Sequence, residues 1–398
     1  MDLIRLKDSI YWVGAIDWNI RSFHGYVTNR GSSYNAYLVV DDKVALIDTV
    51  KDFFFPQMLK RIKKIIEPTK INFLISNHAE PDHSGGIRAF MTLAKNAELI
   101  ATESGMKELK RYYGKDLQCT TIKEKPDIRL GSRSLQFFPV PMVHWPDSMV
   151  TYVPEEKLLF SNDAFGQHLA SSKRFDDEVD QAILMQEAKT YYANIVMHLW
   201  RPIKKALVAL SEVKIDMIAP SHGVVWRGRP EKIVETYGKW VSGVAEPKVI
   251  IVYDTMWRST ERIAVALFEG IASEGVEVKL HRLNSSNNTE VITDILDAQA
   301  VLIGSPTLNN GLFPTVASFL TYMKGLRPQK KFASVFGSYG WGGGAKGEAE
   351  SLIKATGLEL IESDLEFKFR PSENELNKAI EFGRMIAKKV KAKQIGTA

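Results

Sequence analysis

The run Phe73-Leu-Ile-Ser-Asn-His78-Ala-Glu80-Pro-Asp82-His83-Ser-Gly85-Gly86 decides how this chain is read. A short apolar stretch gives way to two histidines and two carboxylates, and paired glycines follow at once. That is the pattern of a strand ending in a tight loop. Carboxylates gathered this closely disfavour one another's ionised form unless a positive charge lies between them. A bound cation removes the penalty, so His78, Glu80, Asp82 and His83 are read as candidate metal ligands rather than as a solvated turn.

Three further strand ends carry similar groups. His144 stands in Pro141-Met-Val-His144-Trp-Pro-Asp147, Asp163 in Phe160-Ser-Asn-Asp163, and His222 in Ala219-Pro-Ser-His222-Gly223. Taken singly, polar residues at such places cap loops; it is their order behind the first run that makes them a set.

The first run resembles the H-x-H-x-D-H motif of the metallo-β-lactamase superfamily, with Glu80 where that pattern has its second histidine. A carboxylate there makes the site harder and richer in oxygen, which moves its preference from zinc toward iron or manganese. In this H-x-E-x-D-H form the chain resembles the flavodiiron proteins. The resemblance implies one iron on His78, Glu80 and His144, a second on Asp82, His83 and His222, and Asp163 bridging the two. It also implies that His24 lies near the metals without binding one, and that Tyr191 covers their open side, although Tyr191 and its neighbour Tyr192 both suit a core position. His168, His198 and His281 are read as structural or surface residues.

Composition sets the bounds. With 398 residues, 45% apolar and 25% charged, the chain has the make-up of a soluble globular protein of two or three domains. A net charge of +5 without basic runs gives nucleic-acid binding no support. One cysteine, Cys119, leaves no internal disulfide and no cysteine-ligated zinc or iron–sulfur site, and the cytoplasm is the expected compartment. The amino terminus lacks the continuous apolar core of an export signal, and no stretch nears the roughly 18 apolar residues of a membrane span.

Along the chain, Ser9–Val13, Tyr34–Val40 and Lys43–Thr49 read as strands, the last two forming a hairpin across Asp41-Asp42. Helical spacing runs from Phe53 to Ile66 and over Ser104–Tyr113, with strands at Phe73–Ser76 and Leu99–Thr102. Leu135–Val140, Met149–Val153 and Lys157–Phe160 return to strand character, and Gln181 to Val213 reads as a long amphipathic helical tract. This mixed pattern fits two sheets covered by helices, and the resemblance implies the αββα sandwich of the metallo-β-lactamases.

Helical periodicity stops near Ser242-Gly-Val-Ala-Glu-Pro247, which places a first domain at 1–246 and a second at 247–398. In the second, strands at Val249–Tyr253, Val276–Leu283, Ala300–Gly304, Lys331–Phe336 and Leu365–Phe369 alternate with helices starting near Thr260, Asn288, Pro314 and Ala345. Such alternation calls for a doubly wound parallel sheet, whose ligands sit at the carboxyl ends of its strands.

The first such loop, Asp254-Thr255-Met256-Trp257-Arg258-Ser259-Thr260, offers hydroxyls and helix-start amides to a phosphate monoester and resembles the flavodoxin phosphate loop. Ser305-Pro306-Thr307-Leu308-Asn309-Asn310-Gly311 and Gly337-Ser338-Tyr339-Gly340-Trp341-Gly342 offer backbone and rings to a planar isoalloxazine. Gly342 to Gly347 spells the dinucleotide fingerprint G-x-G-x-x-G, but it follows the fourth strand instead of the first, so it is not read as one.

The resemblance to flavodiiron proteins covers about residues 5 to 395. It implies a head-to-tail homodimer or dimer of dimers in which FMN of one chain feeds two non-haem irons of the other, with Trp341 at the contact, for the reduction of dioxygen to water or nitric oxide to nitrous oxide. The alternatives are a zinc hydrolase fused to a flavin domain, which Glu80 disfavours, and a flavin electron-transfer protein. Cys119 cannot build a rubredoxin site and no nicotinamide fingerprint is in place, so the donor is expected to be external, a rubredoxin or a reduced deazaflavin.

Overall fold

In the computed structural model, which describes residues 3–395, alternating side chains of the first half close two sheets onto one core. The larger, seven-stranded sheet runs in the order Ile4–Lys7, Ile10–Trp12, Tyr37–Val40, Val44–Ile47, Phe73–Ile75, Glu98–Ala101, Thr120–Thr121. The five-stranded sheet runs Asp127–Arg129, Ser134–Pro139, Met149–Val153, Leu158–Asn162, Met217–Pro220. Tyr37 and Val39, Ala45 and Ile47, and Phe73 and Ile75 point inward at every second position to meet Leu135, Phe137, Met149, Val153 and Phe160. This is the metallo-β-lactamase-like sandwich expected from the sequence.

The hairpin across Asp41-Asp42 is present, with Val40 opposite Val44. The apolar run from Tyr34 to Val40, however, is two strands, because Asn35 turns aside to other partners. It accepts from Trp12 Nε1 and donates to the Pro220 carbonyl, both at 2.8 Å, so Ser32–Tyr34 pairs separately with Ala15–Asp17. The tract from 181 to 213 is not one helix either. Gln181–Tyr191 passes into a π turn at Tyr192–Val196 and a 3-10 turn at Met197–Leu199 before Trp200–Ala209. Pro202 has no N–H to continue a ladder and is tolerated only in the first turn of a new helix, which is where it stands.

The chain divides into two units, Met1–Tyr192 with Leu199–Gly238, and Ala193–His198 with Lys239–Ala398. Within the second, the Asn194 side chain donates to the Thr289 carbonyl and Thr293 Oγ1, each at 3.2 Å, and accepts from Tyr322 at 2.8 Å. A boundary read as a single cut does not anticipate this returning segment.

The second unit is built on a sheet ordered Glu277–Arg282, Glu246–Tyr253, Ala298–Pro306, Phe332–Tyr339, Glu359–Leu360, with Glu366–Lys368 also on Phe332–Tyr339. Every pairing is parallel. One closing strand was expected near Leu365; the chain instead lays two short strands along successive halves of Phe332–Tyr339. Crossover helices Ser259–Ser273, Asn288–Leu296, Pro314–Leu326 and Ala345–Thr356 complete a doubly wound sheet whose order reverses beside Glu246–Tyr253. A crevice opens there, at the carboxyl ends of the strands.

Candidate functional site

The strand Phe73–Ile75 releases its chain into the loop that carries His78, Glu80, Asp82 and His83, and buried polar groups hold that loop. Asp48 accepts from Asn77 N at 2.7 Å and from Asn77 Nδ2 at 3.0 Å, fixing the residue before His78. Pro81–Ser84 forms one helical turn and Gly85 ends it, where a Cβ would stand 2.6 Å from both Asp52 N and Pro81 O. Only glycine fits that approach.

Seven side chains from four strand ends converge on this loop. His78, Glu80, His144 and Asp163 form one group and Asp82, His83 and His222 another, each with its ligand atoms within 4.8 Å of one another. Asp163 belongs to both. Its Oδ2 lies 3.1 Å from His144 Nε2 and 3.7 Å from His78 Nε2, while its Oδ1 lies 3.0 Å from His83 Nε2 and 3.4 Å from His222 Nε2. Glu80 Oε2 lies 3.2 Å from His78 Nε2 and 3.3 Å from His144 Nε2, and Asp82 Oδ2 lies 3.1 Å from His222 Nε2.

Two of the outward ring nitrogens are tied down. His78 Nδ1 lies 3.0 Å from both oxygens of Asp147, and His222 Nδ1 lies 2.7 Å from the Ser33 carbonyl. Such partners fix the tautomer and turn each Nε2 lone pair into the site. Burial opposes charge on these rings, yet hydrogen bonds to Asp163 and its neighbouring carboxylates outweigh it, pushing His144 up to about 9 and His222 up to about 10. Burial likewise opposes charge on Asp163, but His83, His144 and His222 hold it well below the usual carboxylate range. The cluster is therefore a store of protons that a divalent cation would displace.

The donor set fits such a cation on independent grounds. Asp82 Oδ1 and His83 Nε2 are buried and form no well-aligned hydrogen bond among the described residues, although His83 Nε2 lies 3.4 Å from Asp82 Oδ1 and 3.0 Å from Asp163 Oδ1. Buried polar atoms that face one another without well-formed hydrogen bonds are costly unless something else binds them.

Around the two groups, His24 Nε2 sits 2.6 Å from Glu80 Oε1, and the Tyr191 hydroxyl donates to Asp163 Oδ1 at 3.1 Å. Tyr192 packs against Tyr237 instead. His168, read from the sequence as structural or surface, is buried with its ring 5.0 Å from His222 and its Nδ1 2.8 Å from Ser32 Oγ. Asp147 was missed, although a carboxylate three residues after a strand-end histidine is a readable sign.

In the second unit a cavity of about 1160 Å³ lies over the strand ends. Met256, Trp257, Arg258, Ser259, Pro306, Thr307, Leu308, Asn309, Asn310, Ser338, Tyr339, Gly340, Trp341 and Gly342, all from the three loops read in the sequence, line it, and Arg262, Phe369 and Arg370 line it unanticipated. Thr260 turns its hydroxyl to Ser338 Oγ at 2.9 Å, and Gly311 closes its loop through backbone bonds with Leu308. Thr255 Oγ1 is buried without a hydrogen-bond partner just before the helix Ser259–Ser273, which suits a phosphate seated on that helix start. Trp257 and Trp341 are 91% and 93% exposed, unusual for rings unless a ligand or partner covers them.

A family model described as "ODP family beta lactamase" matches residues 33–223, and one described as "Flavodoxin" matches residues 251–383. The chain is 47% identical over 393 residues to a nitric oxide reductase of Moorella thermoacetica, covering 97% of this chain and 98% of that protein. Its fold matches the flavodiiron protein from Giardia intestinalis with a TM-score of 0.94 at 37% identity, over 98% of this chain and 97% of that one. The chain belongs to the flavodiiron protein family. A second flavodiiron-type structure, rubredoxin oxygen:oxidoreductase from Desulfovibrio gigas, matches with a TM-score of 0.95 at 37% identity, over 99% of this chain and 100% of that one. As a flavodiiron protein the chain is an oxidoreductase, which removes the hydrolase reading that Glu80 already disfavoured. Among the described residues no helix is long and apolar enough to cross a membrane.

Proposed function

We propose that this chain reduces nitric oxide to nitrous oxide, with dioxygen as its second substrate, at two irons fed with electrons through FMN. In this reading His78, Glu80 and His144 hold one iron, Asp82, His83 and His222 hold the other, and Asp163 spans them. The observation that carries it is the Asp163 carboxylate, each of whose oxygens faces its own group of imidazoles. The name of the Moorella relative supports nitric oxide, and that of the Desulfovibrio structure supports dioxygen.

Iron supplies open coordination for a diatomic gas and FMN supplies electrons in ones or pairs. The chain does the rest. Asp147 and Ser33 hold two imidazoles in one tautomer each. Tyr191 keeps a hydroxyl proton on the shared carboxylate, and His24 sits on the outer oxygen of Glu80 with its side chain 62% exposed, so it can exchange protons with solvent. The rings of Phe23, Tyr34, His168 and Tyr191, all within 6.1 Å of the His222 ring, keep water from its flank. At the flavin cavity, Thr255, Ser259 and the start of their helix receive the phosphate, while Tyr339 and Trp341 receive the ring system.

The exposure of Trp257 and Trp341 supports a head-to-tail pair of chains, in which the flavin of one meets the irons of the other. The donor is external, a rubredoxin or a reduced deazaflavin, and the compartment is the cytoplasm; the single cysteine supports both. Anaerobic steady-state reduction of nitric oxide and dioxygen, measured side by side on protein with iron and FMN quantified, tests the reading. Protein holding both cofactors that turns over neither gas overturns it.

A further inference from the structure

Asn35 interrupts the apolar run between the strands Ser32–Tyr34 and Tyr37–Val40, and it is fully buried. Its neighbours decide which way its amide points. Trp12 Nε1 can only donate and meets Oδ1 at 2.8 Å, so the NH2 faces the other side. There it finds acceptors alone, donating to the Pro220 carbonyl at 2.8 Å and to the Gly223 carbonyl at 3.1 Å. The Asn35 backbone N–H donates to the Ser221 carbonyl at 2.8 Å. Backbone and side chain of one residue thus gather three carbonyls of the stretch Pro220–Gly223.

His222 stands inside that stretch. The chain leaves the strand Met217–Pro220, turns at Gly223 with φ +81°, and brings His222 Nε2 to 3.1 Å from Asp82 Oδ2. His222 Nδ1 meets the carbonyl of Ser33, two residues before Asn35, at 2.7 Å. Other donors each reach one end of the stretch: the Tyr37 hydroxyl serves the Pro220 carbonyl at 2.6 Å, while Ser33 Oγ and Arg174 Nη1 serve the Gly223 carbonyl at 3.2 Å and 3.5 Å. The Asn35 amide spans both ends. Its anchor is itself held, because the guanidiniums of Arg61 and Arg174 lie 4.9 Å and 5.1 Å from the centre of the Trp12 ring.

We propose that Asn35 is a positioning residue for the group Asp82, His83 and His222: by clamping the turn from Pro220 to Gly223 it fixes the direction in which His222 presents Nε2. The break in the strand is what lets both the N–H and the side chain of Asn35 act on that turn. A ligand whose backbone is held on both sides keeps its lone pair aimed before an ion arrives. Once the clamp opens, part of the binding free energy goes into ordering the turn, and the ion is held more weakly. The inference rests on the proposed role of His222 as an iron ligand.

The test equilibrates the iron- and FMN-loaded protein, as wild type, N35D and W12F, against a graded ferrous chelator buffer without oxygen. N35D keeps the size of the side chain and the acceptor for Trp12 but sets a carboxyl against two carbonyls, and even protonated it has one O–H and can serve one end only. W12F removes the other hydrogen bond of the same amide and leaves both donors on the turn. N35D should release its second iron at about 10-fold higher free ferrous concentration than wild type, the low end for an outer partner of a metal ligand. Its first iron should keep the wild-type curve, so that partly depleted, reoxidised samples show an isolated high-spin ferric EPR signal in place of a spin-coupled pair. W12F should follow wild type throughout. A wild-type curve for N35D overturns the proposal, and so does parallel weakening of both irons or the same second-iron loss in W12F. If N35D does not fold, N35S, whose single O–H also serves one end at most, carries the same expectations. His222→Ala separates the two readings: full iron retained there points to a wrong ligand assignment, whereas iron lost there with N35D unchanged points to a wrong role for Asn35.

Discussion

Replacing Asp163 by asparagine keeps the shape of the side chain and removes its charge at the one place that both imidazole groups share. In the native chain Oδ2 faces His144 at 3.1 Å and Oδ1 faces His83 at 3.0 Å. An amide has one acceptor oxygen, so one of the groups must face an NH2 that neither ligates a cation nor accepts from a ring. Loss of an outer partner of a metal ligand costs ~10- to 100-fold in affinity, and loss of a shared ligand should reach at least the upper figure. About 100-fold corresponds to about 2.7 kcal/mol for each ion. Asp163→Asn purified without oxygen should therefore hold far less iron than the roughly two ions per chain of a two-metal site, with FMN at its wild-type stoichiometry. Iron by elemental analysis, flavin by absorbance and gas consumption on one preparation give the answer. Wild-type iron together with wild-type turnover would refute the shared-carboxylate reasoning.

Glu80→His restores the softer ligand set, so protein expressed with both metals available should gain zinc and lose iron, and unchanged iron content with unchanged oxygen consumption counts against that role. Burial opposes charge on Asp294, but His281 at 2.9 Å and Lys279 at 2.7 Å hold its carboxyl down at about 2. Its contribution is full above the unfolded value of about 3.9 and is lost as pH falls toward about 2. Asp294→Asn should be less stable than wild type at neutral pH and converge with it across that window in thermal melts, where a constant difference contradicts the assignment. A Cβ on Gly344, at φ +140°, would stand 2.1 Å from the Asn310 carbonyl beside the flavin cavity; Gly344→Ala should weaken FMN binding ~10-fold, the low end of ~1–3 kcal/mol of backbone strain, and an unchanged fluorescence titration speaks against it. With NADH as sole reductant the loaded protein should take up negligible oxygen, rubredoxin with its reductase should restore uptake, and fast NADH oxidation would require a nicotinamide site not identified among the described residues.

What the sequence made legible was local. The loop from His78 to His83 carries four of the convergent side chains in one run, and the flavin loops sit at strand ends where the alternating pattern puts them. The features that escaped depend on distant partners. Asn35 breaks a strand because Trp12 and the Pro220 carbonyl draw it aside. His168, left open between structural and surface, is buried by His222, Tyr191 and Phe23, all remote in the chain. Arg262, in the helix Ser259–Ser273, and Arg370, beyond Glu366–Lys368, join the cavity from outside the three loops read in the sequence. The two short strands near Glu359 and Glu366 are too brief to leave a repeating signal.

Residues 193–198 leave one unit, join the other and return. For genetic recombination this means that no single crossover point separates the two halves cleanly. A gene fragment starting near residue 239 would encode the whole flavodoxin sheet yet omit Asn194, which holds Thr289, Thr293 and Tyr322. A shuffled chimera would carry the wrong residue at that place unless both parents agreed on it. The two modules are thus inherited most safely together, and a transplanted flavodoxin half would need residues 193–198 grafted alongside it.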